Sequence, residues 1–257
     1  MITTSKCQSW VTFPKSKPKA NLRLFCFPYA GGKASSFRGW ENVLPCNVEV
    51  CPIELPGRGT RIMEKPFTEC SQLIPELTTA IFPYLDKPFA FFGHSMGSIV
   101  CFEVAHLLQQ KYGLSPLHLF VSGRGAPQIP MDNKLIHKLS EAAFIEELRR
   151  LNGTPEAVLE NTELMQLLLP TLRADFALVE NYVHSPKHSF GCAISAFGGL
   201  QDSKVSRAKL EAWSQHTTSN FSMQMFPGDH FFLHSSESLL LKSLSQKLNQ
   251  LIYQQAA

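Results

Sequence analysis

Ser95 lies in the run Gly93-His94-Ser95-Met96-Gly97, between an apolar stretch, Phe89–Phe92, and a helical pattern, Ser98–Tyr112. A serine between two glycines at a strand-to-helix turn is the layout of a nucleophile elbow. The turn exposes the hydroxyl, and the glycines let strand and helix pack closely where a Cβ would clash. The helix that follows points its amino-terminal amides toward the hydroxyl, where they stabilise developing negative charge. The plainer alternative is a tight turn with an inert serine, because Gly-x-Ser-x-Gly alone is a short pattern.

A neutral hydroxyl attacks only when a base takes its proton, and the base is oriented by an acid. Among nine histidines, His230 stands in the run MFPGDHFFL, after the last β-rich run and before the last helical one. A loop in that place opens at the same sheet edge as Ser95, so His230 is favoured over His234. For the acid, Asp202 follows the run that ends at Phe197 and keeps the chain order serine, acid, histidine. Asp229 adjoins the histidine and turns away from its ring. Asp175 and Glu180 fall in a helical region, and Glu54 precedes the serine. Ser95, Asp202 and His230 together would make a serine hydrolase. Met96, the residue after the nucleophile, would supply one amide to a tetrahedral oxyanion, and the glycine-bearing loop near Tyr29 or Ala30 the other.

Such a site needs a rigid frame. Short β-rich runs recur at Leu22–Phe27, Val48–Ile53, Phe89–Phe92, Leu117–Val121, Cys192–Phe197 and Phe221–Phe226. Several are apolar nearly throughout, as strands buried on both faces of a parallel sheet are. Helical patterns alternate with them at Cys70–Leu85, Ser98–Tyr112, Arg207–Gln215 and Ser236–Tyr253, which predicts a doubly wound α/β sheet. From 129 to 188 the alternation stops and helix follows helix, with Thr154-Pro155-Glu156 reading as a cap with proline at the first helical position. That stretch reads as a helical insertion covering the site, within a single domain spanning 1–257.

Composition narrows the function further. The formal charge of +3 is too small to argue for nucleic acid, and no apolar run approaches the ~20 residues needed to span a bilayer. The amino terminus lacks the sustained apolar core of a secretion signal. Seven cysteines, an odd number without a Cys-x-x-Cys pair, suggest neither zinc nor a disulfide framework and fit a reducing cytoplasm.

With these residues assembled, the chain resembles the type II thioesterases, free-standing hydrolases that accompany polyketide and nonribosomal peptide synthases. The resemblance runs from Leu22 to about Leu251 and rests on the blocks FPYAGGKASSFRGW, ELPGRGTR, FFGHSMG, LFVSGRGAP, LRADFALVENY, FGGLQD and GDHFFL. It implies the α/β-hydrolase fold, a mostly parallel central sheet with helices on both faces and a helical lid at 129–188. It also implies a triad of Ser95, Asp202 and His230, and an oxyanion hole made by the backbone amides of Ala30 and Met96. The implied partner is an acyl or peptidyl carrier protein, met transiently, which presents acyl groups on a phosphopantetheine arm. Neither cofactor nor metal is expected, and the enzyme is expected to be a monomer. Two positions depart from the family pattern: Glu54 where glutamine is frequent, and Gly125 where a second basic residue is common. Because carrier proteins are usually acidic, Lys134, Lys138, Arg149 and Arg150 are expected to offer them positive charge at the rim of a mobile lid.

Overall fold

The computed structural model describes residues 9–13, 15–130 and 135–256 of the chain. Its strands are β1 (Leu22–Phe27), β2 (Val48–Pro52), β3 (Phe89–His94), β4 (His118–Ser122), β5 (Ala193–Gly199) and β6 (Phe221–Phe226). They form one sheet in the order β2-β1-β3-β4-β5-β6, and every neighbouring pair is parallel. The chain reverses its direction of growth between β1 and β3. In open parallel sheets, ligands bind at such a switch point, outside the carboxyl ends of the strands.

The helices are α1 (Trp40–Val43), α2 (Cys70–Ile81), α3 (Met96–Tyr112), α4 (Glu141–Leu151), α5 (Glu156–Leu159), α6 (Thr162–Glu180), α7 (Arg207–Glu211), α8 (Phe232–Ser235) and α9 (Glu237–Ala256). Alternate strand residues go to opposite faces. Phe25, Phe27, Phe91 and Leu119 therefore pack with Leu73 and Leu77 of α2 and Val100 and Val104 of α3. Leu24, Cys26, Phe92 and Phe120 meet Trp40 and Leu240, Leu244 and Leu248 of α9 on the other face. Aliphatic and aromatic side chains thus bury the inner strands on both sides, which explains why several of them read as continuous apolar runs, whereas the edge strand β6 is mostly half-buried. The outer edge of β2 is covered by the chain before β1, through an antiparallel bridge between Val11 and Ile53.

Three boundaries move for physical reasons. β3 runs two residues past Phe92 because Gly93 and His94 pair with Val121 and Ser122 of β4. β5 continues through Gly198 and Gly199, which pair with Met225 and Phe226, so this Gly-Gly is strand rather than turn. α2 tightens into a 3-10 turn at Phe82–Tyr84, because Pro83 has no amide to extend the helical ladder.

The 129–188 stretch holds α4, α5 and α6, with an apolar centre of its own made by Phe144, Leu148, Leu159, Met165 and Leu169. The single turn of α5 begins one residue later than its sequence suggests. Pro155 is its cap, in an extended conformation at ψ 141°, and Thr154 stays outside. Of the basic residues expected at the rim, Lys134 lies outside the described residues. Arg149 is paired with Glu146 and Glu156, and Arg150 with Glu147, so their charge is balanced within the segment.

Candidate active site

At the end of β3 the backbone turns sharply. Ser95 has φ 52° and ψ −112°, outside the regions open to side-chain-bearing residues without strain, and α3 begins at the next residue. The flanking glycines explain how this turn fits. A Cβ on Gly93 would come within 2.2 Å of the Gly97 carbonyl oxygen, and one on Gly97 within 2.1 Å of the Phe27 carbonyl oxygen. The turn is tied down from β4: the Ser95 amide donates to the Ser122 carbonyl at 2.7 Å, and the buried Ser98 hydroxyl sits between the carbonyls of Gly93 and Ser122 at 2.8 and 3.0 Å.

The three polar residues singled out from the sequence converge. His230 Nε2 lies 3.0 Å from Ser95 Oγ, and His230 Nδ1 lies 2.7 Å from Asp202 Oδ2. The other carboxylate oxygen of Asp202 accepts from the amides of Lys204 at 2.8 Å and Val205 at 3.1 Å. Burial alone would raise the Asp202 pKa. The hydrogen bond and charge of His230 and the two amides outweigh it, and the carboxyl is held below its ordinary value. An ionised Asp202 accepts from Nδ1–H, which leaves Nε2 free to take the serine proton.

His94, inside the Gly-x-Ser-x-Gly run, is a fourth polar residue at this turn, and no local pattern marks it. Its Nε2–H donates to the His230 carbonyl at 3.0 Å, so Nδ1 accepts from the Ser122 hydroxyl at 2.8 Å. Burial, with the nearby His230 and His234 rings, pushes its pKa well down and keeps it neutral. Gly199 also shapes the site. A Cβ there would stand 2.2 Å from the Asp229 carbonyl oxygen, so its absence lets the loop after β6 close on the loop after β5 and brings His230 to Asp202.

The rejected candidates are occupied elsewhere. Asp229 accepts from the Phe231 amide at 2.8 Å and from the Asn152 side chain at 2.9 Å. Asp175 pairs with Arg58, Glu180 with His137, and Glu54 accepts from the Ala34 amide at 3.3 Å. His234 Nε2 is 2.9 Å from the Tyr29 hydroxyl, and burial lowers its pKa. Substituting His234 by alanine is therefore expected to cost less than about tenfold in kcat, through slackening of the Tyr29 wall; a loss matching that of the serine variant would move the base to His234.

Ser95, His230 and Ala30 open into a cavity of about 180 Å³. Its apolar wall comes largely from the 129–188 stretch, with Ile136, Leu148, Leu151, Leu172, Phe176 and Val179. Gly125 lies at its edge, where any side chain would meet Lys209. The Asn152-Gly153 turn rests on the loop that bears His230: a Cβ on Gly153 would come 2.3 Å from the Phe231 ring. Met96 is the first residue of α3, where an amide has no acceptor within its own helix. Among the described residues, no three His, Cys, Asp or Glu side chains are grouped so that they could hold a metal ion, and no helix is long and apolar enough to cross a membrane. Six of the seven cysteines are described, and all six are free thiols.

Residues 22–248 match the family model for the thioesterase domain. The gramicidin S biosynthesis protein GrsT of Aneurinibacillus migulanus is 46% identical over 96% of this chain and 97% of its own length. LgrE of Brevibacillus parabrevis, called a linear gramicidin dehydrogenase, is 47% identical over 93% of this chain and 92% of its own. Among solved structures, the type II thioesterase BorB from the borrelidin biosynthetic cluster superposes with a TM-score of 0.84 at 33% identity, covering 92% of this chain and 96% of that one. The name of LgrE suggests hydride transfer, whereas the family model and BorB indicate thioester hydrolysis. The latter accords with the geometry. The loop after β1, Pro28 to Lys33, lacks the Gly-x-Gly-x-x-Gly spacing of a dinucleotide cradle, and its Gly31 amide is taken by the Asp175 carboxylate at 2.7 Å.

Proposed function

The chain belongs to the thioesterase family and is a hydrolase acting on thioesters; from that premise we propose that Ser95, His230 and Asp202 are its triad, and that its substrates are acyl groups carried on the phosphopantetheine arms of a peptide or polyketide synthase. The observation that carries the reading is the hydrogen-bonded run Ser95–His230–Asp202, 3.0 and 2.7 Å long, at the mouth of an apolar chamber.

The chemistry follows from the protons. As Ser95 Oγ attacks the thioester carbonyl carbon, its proton passes to His230 Nε2. The carbonyl oxygen becomes an oxyanion facing the amides of Ala30 and Met96. When the carbon–sulfur bond breaks, the thiol sulfur takes the proton from Nε2 and the acyl group stays on Ser95 Oγ. A water then gives its proton to Nε2 and attacks the acyl carbon. Collapse of the second tetrahedral intermediate returns the proton to Ser95 Oγ and releases the carboxylic acid. Asp202 remains ionised throughout, holding the imidazole orientation and stabilising the imidazolium. The reaction so written uses no cofactor.

Residues 129–188 act in this proposal as a lid over the acyl group. The arm is long and thin, so the carrier domain stays outside while the thioester reaches Ser95. With Arg149 and Arg150 matched by their own glutamates, carrier docking does not depend on them as free positive charge. The test offers the enzyme one acyl group in three forms: on a carrier protein, on a short thiol such as N-acetylcysteamine, and on an oxygen alcohol. Release of free acid with the highest kcat/KM on the carrier is expected. Preference for the oxygen ester would make the enzyme a carboxylesterase, and an acyl product joined to an amine or alcohol would make it a transferase.

A further inference from the structure

The loop that bears Ala30 is short, contains two successive glycines and leaves the sheet directly after β1, yet an oxyanion donor must not wander. Leu172 and Asp175, three apart on α6, lie on the same helix face, and both press on this loop. Gly31 has φ 76°, and a Cβ there would stand 2.5 Å from Leu172 Cδ2. The Gly31 amide donates to Asp175 Oδ2 at 2.7 Å. Arg58, in the loop after β2, grips both oxygens of the same carboxylate at 2.7 Å each and donates to the Gly32 carbonyl at 3.0 Å. Arg58 and Asp175 are almost entirely buried. One turn back on α6, the Thr171 hydroxyl donates to the Gly57 carbonyl at 2.6 Å, fixing the strand-to-helix side of the same clamp.

We infer that Arg58 and Asp175 are positioning residues for catalysis, a clamp that uses a carboxylate from the insertion to set the backbone of Tyr29–Gly32 and so aim the Ala30 amide at the oxyanion. The bidentate pair fixes direction as well as distance, because a planar guanidinium meets a carboxylate in one orientation. The Gly31 amide and the Gly32 carbonyl are then both held from the same pair, which fixes the Ala30–Gly31 and Gly32–Lys33 peptide units, and the Gly32 amide donates to the Tyr29 carbonyl at 2.8 Å, which ties the unit that carries the Ala30 amide to them. The inference rests on the oxyanion role proposed for Ala30. It also assigns α6 to the catalytic body, not to a moving cover: any opening of the lid must occur in α4 and α5.

The test uses Asp175→Asn, which keeps the side-chain shape, and Arg58→Lys, which keeps the buried positive charge but loses the two-pronged grip. For each, kcat and KM on a small acyl thioester are measured, with the affinity for a short alkyl boronic acid that adds to the serine as a tetrahedral mimic. Removing an oxyanion donor outright costs about 10²–10³ in kcat, so a displaced donor is expected to lower kcat by roughly 10- to 100-fold. KM should stay within about threefold, and boronate binding should weaken by the same factor as kcat. Wild-type kcat and boronate affinity in a folded variant, with only a lower melting temperature, would make the pair a structural tie and overturn the inference. A rise in KM with kcat intact would instead make it part of the acyl wall, and also overturn it. Should Asp175→Asn not fold, Arg58→Lys decides alone. If the wild-type enzyme turned over no thioester, the hydrolase reading itself would fail, an outcome separate from any of these.

Discussion

Ser95→Ala is expected to abolish turnover, with a loss on the order of 10⁴-fold or more in kcat, while the protein folds as before. The residual rate comes from the amides and binding groups that remain, since water must then attack without covalent catalysis. His230→Ala should fall to the same level, and the double variant no further, because nucleophile and base act as one unit. A fluorophosphonate should label the wild type at Ser95 alone, as mass spectrometry of the digested protein would read. An alanine variant that kept a tenth of the activity would remove Ser95 from the mechanism.

Asp202→Asn is expected to cost up to ~10⁴-fold in kcat with melting temperature little changed. The amide can still accept from the Lys204 and Val205 amides, but its NH₂ then faces His230 Nδ1. That favours the tautomer with the proton on Nε2, which cannot accept from Ser95, and leaves the imidazolium without its counter-charge. Asp229→Asn makes the comparison direct: it sits beside His230 in the chain, but its carboxylate faces the Phe231 amide and Asn152. Its loss should stay below about tenfold. Reversal of the two results would assign the acid to Asp229.

The fold and the three side chains proposed as the triad were legible because each is governed by a local pattern. Short β-rich runs marked the six strands, the Gly-x-Ser-x-Gly spacing marked the turn, and chain order ranked Asp202 and His230. What was illegible depends on contacts between distant segments. Gly198-Gly199 reads as a turn in any local sense, and only the pairing with Met225 and Phe226 makes it strand. His94 carries no local signal beyond its place inside the elbow, and its hydrogen bond to the His230 carbonyl joins residues 136 apart. Asp175 was weighed as a catalytic acid and set aside. Its pairing with Arg58 spans 117 positions, and no periodicity reports such a pair. The balanced charges of α4 were nearer to legible, since Glu146 and Glu147 stand three residues before Arg149 and Arg150, where helical neighbours meet.

The sheet order has a consequence for how the protein comes to be active. Parallel neighbours are never joined by a tight turn, so each pairing must wait for a crossover to be closed. The bond from His230 to Ser95 closes a loop of 135 residues, and the loop at Ala30 follows a strand near the chain's beginning. Topologies dominated by such distant pairings fold slowly. Helices α3 and α9 are local and can form early, whereas His230 meets the serine only when β3–β4, β4–β5 and β5–β6 have all paired. On dilution from denaturant, far-ultraviolet ellipticity should therefore recover before esterolysis does. The burst of serine labelling then becomes a clock for the final sheet pairing.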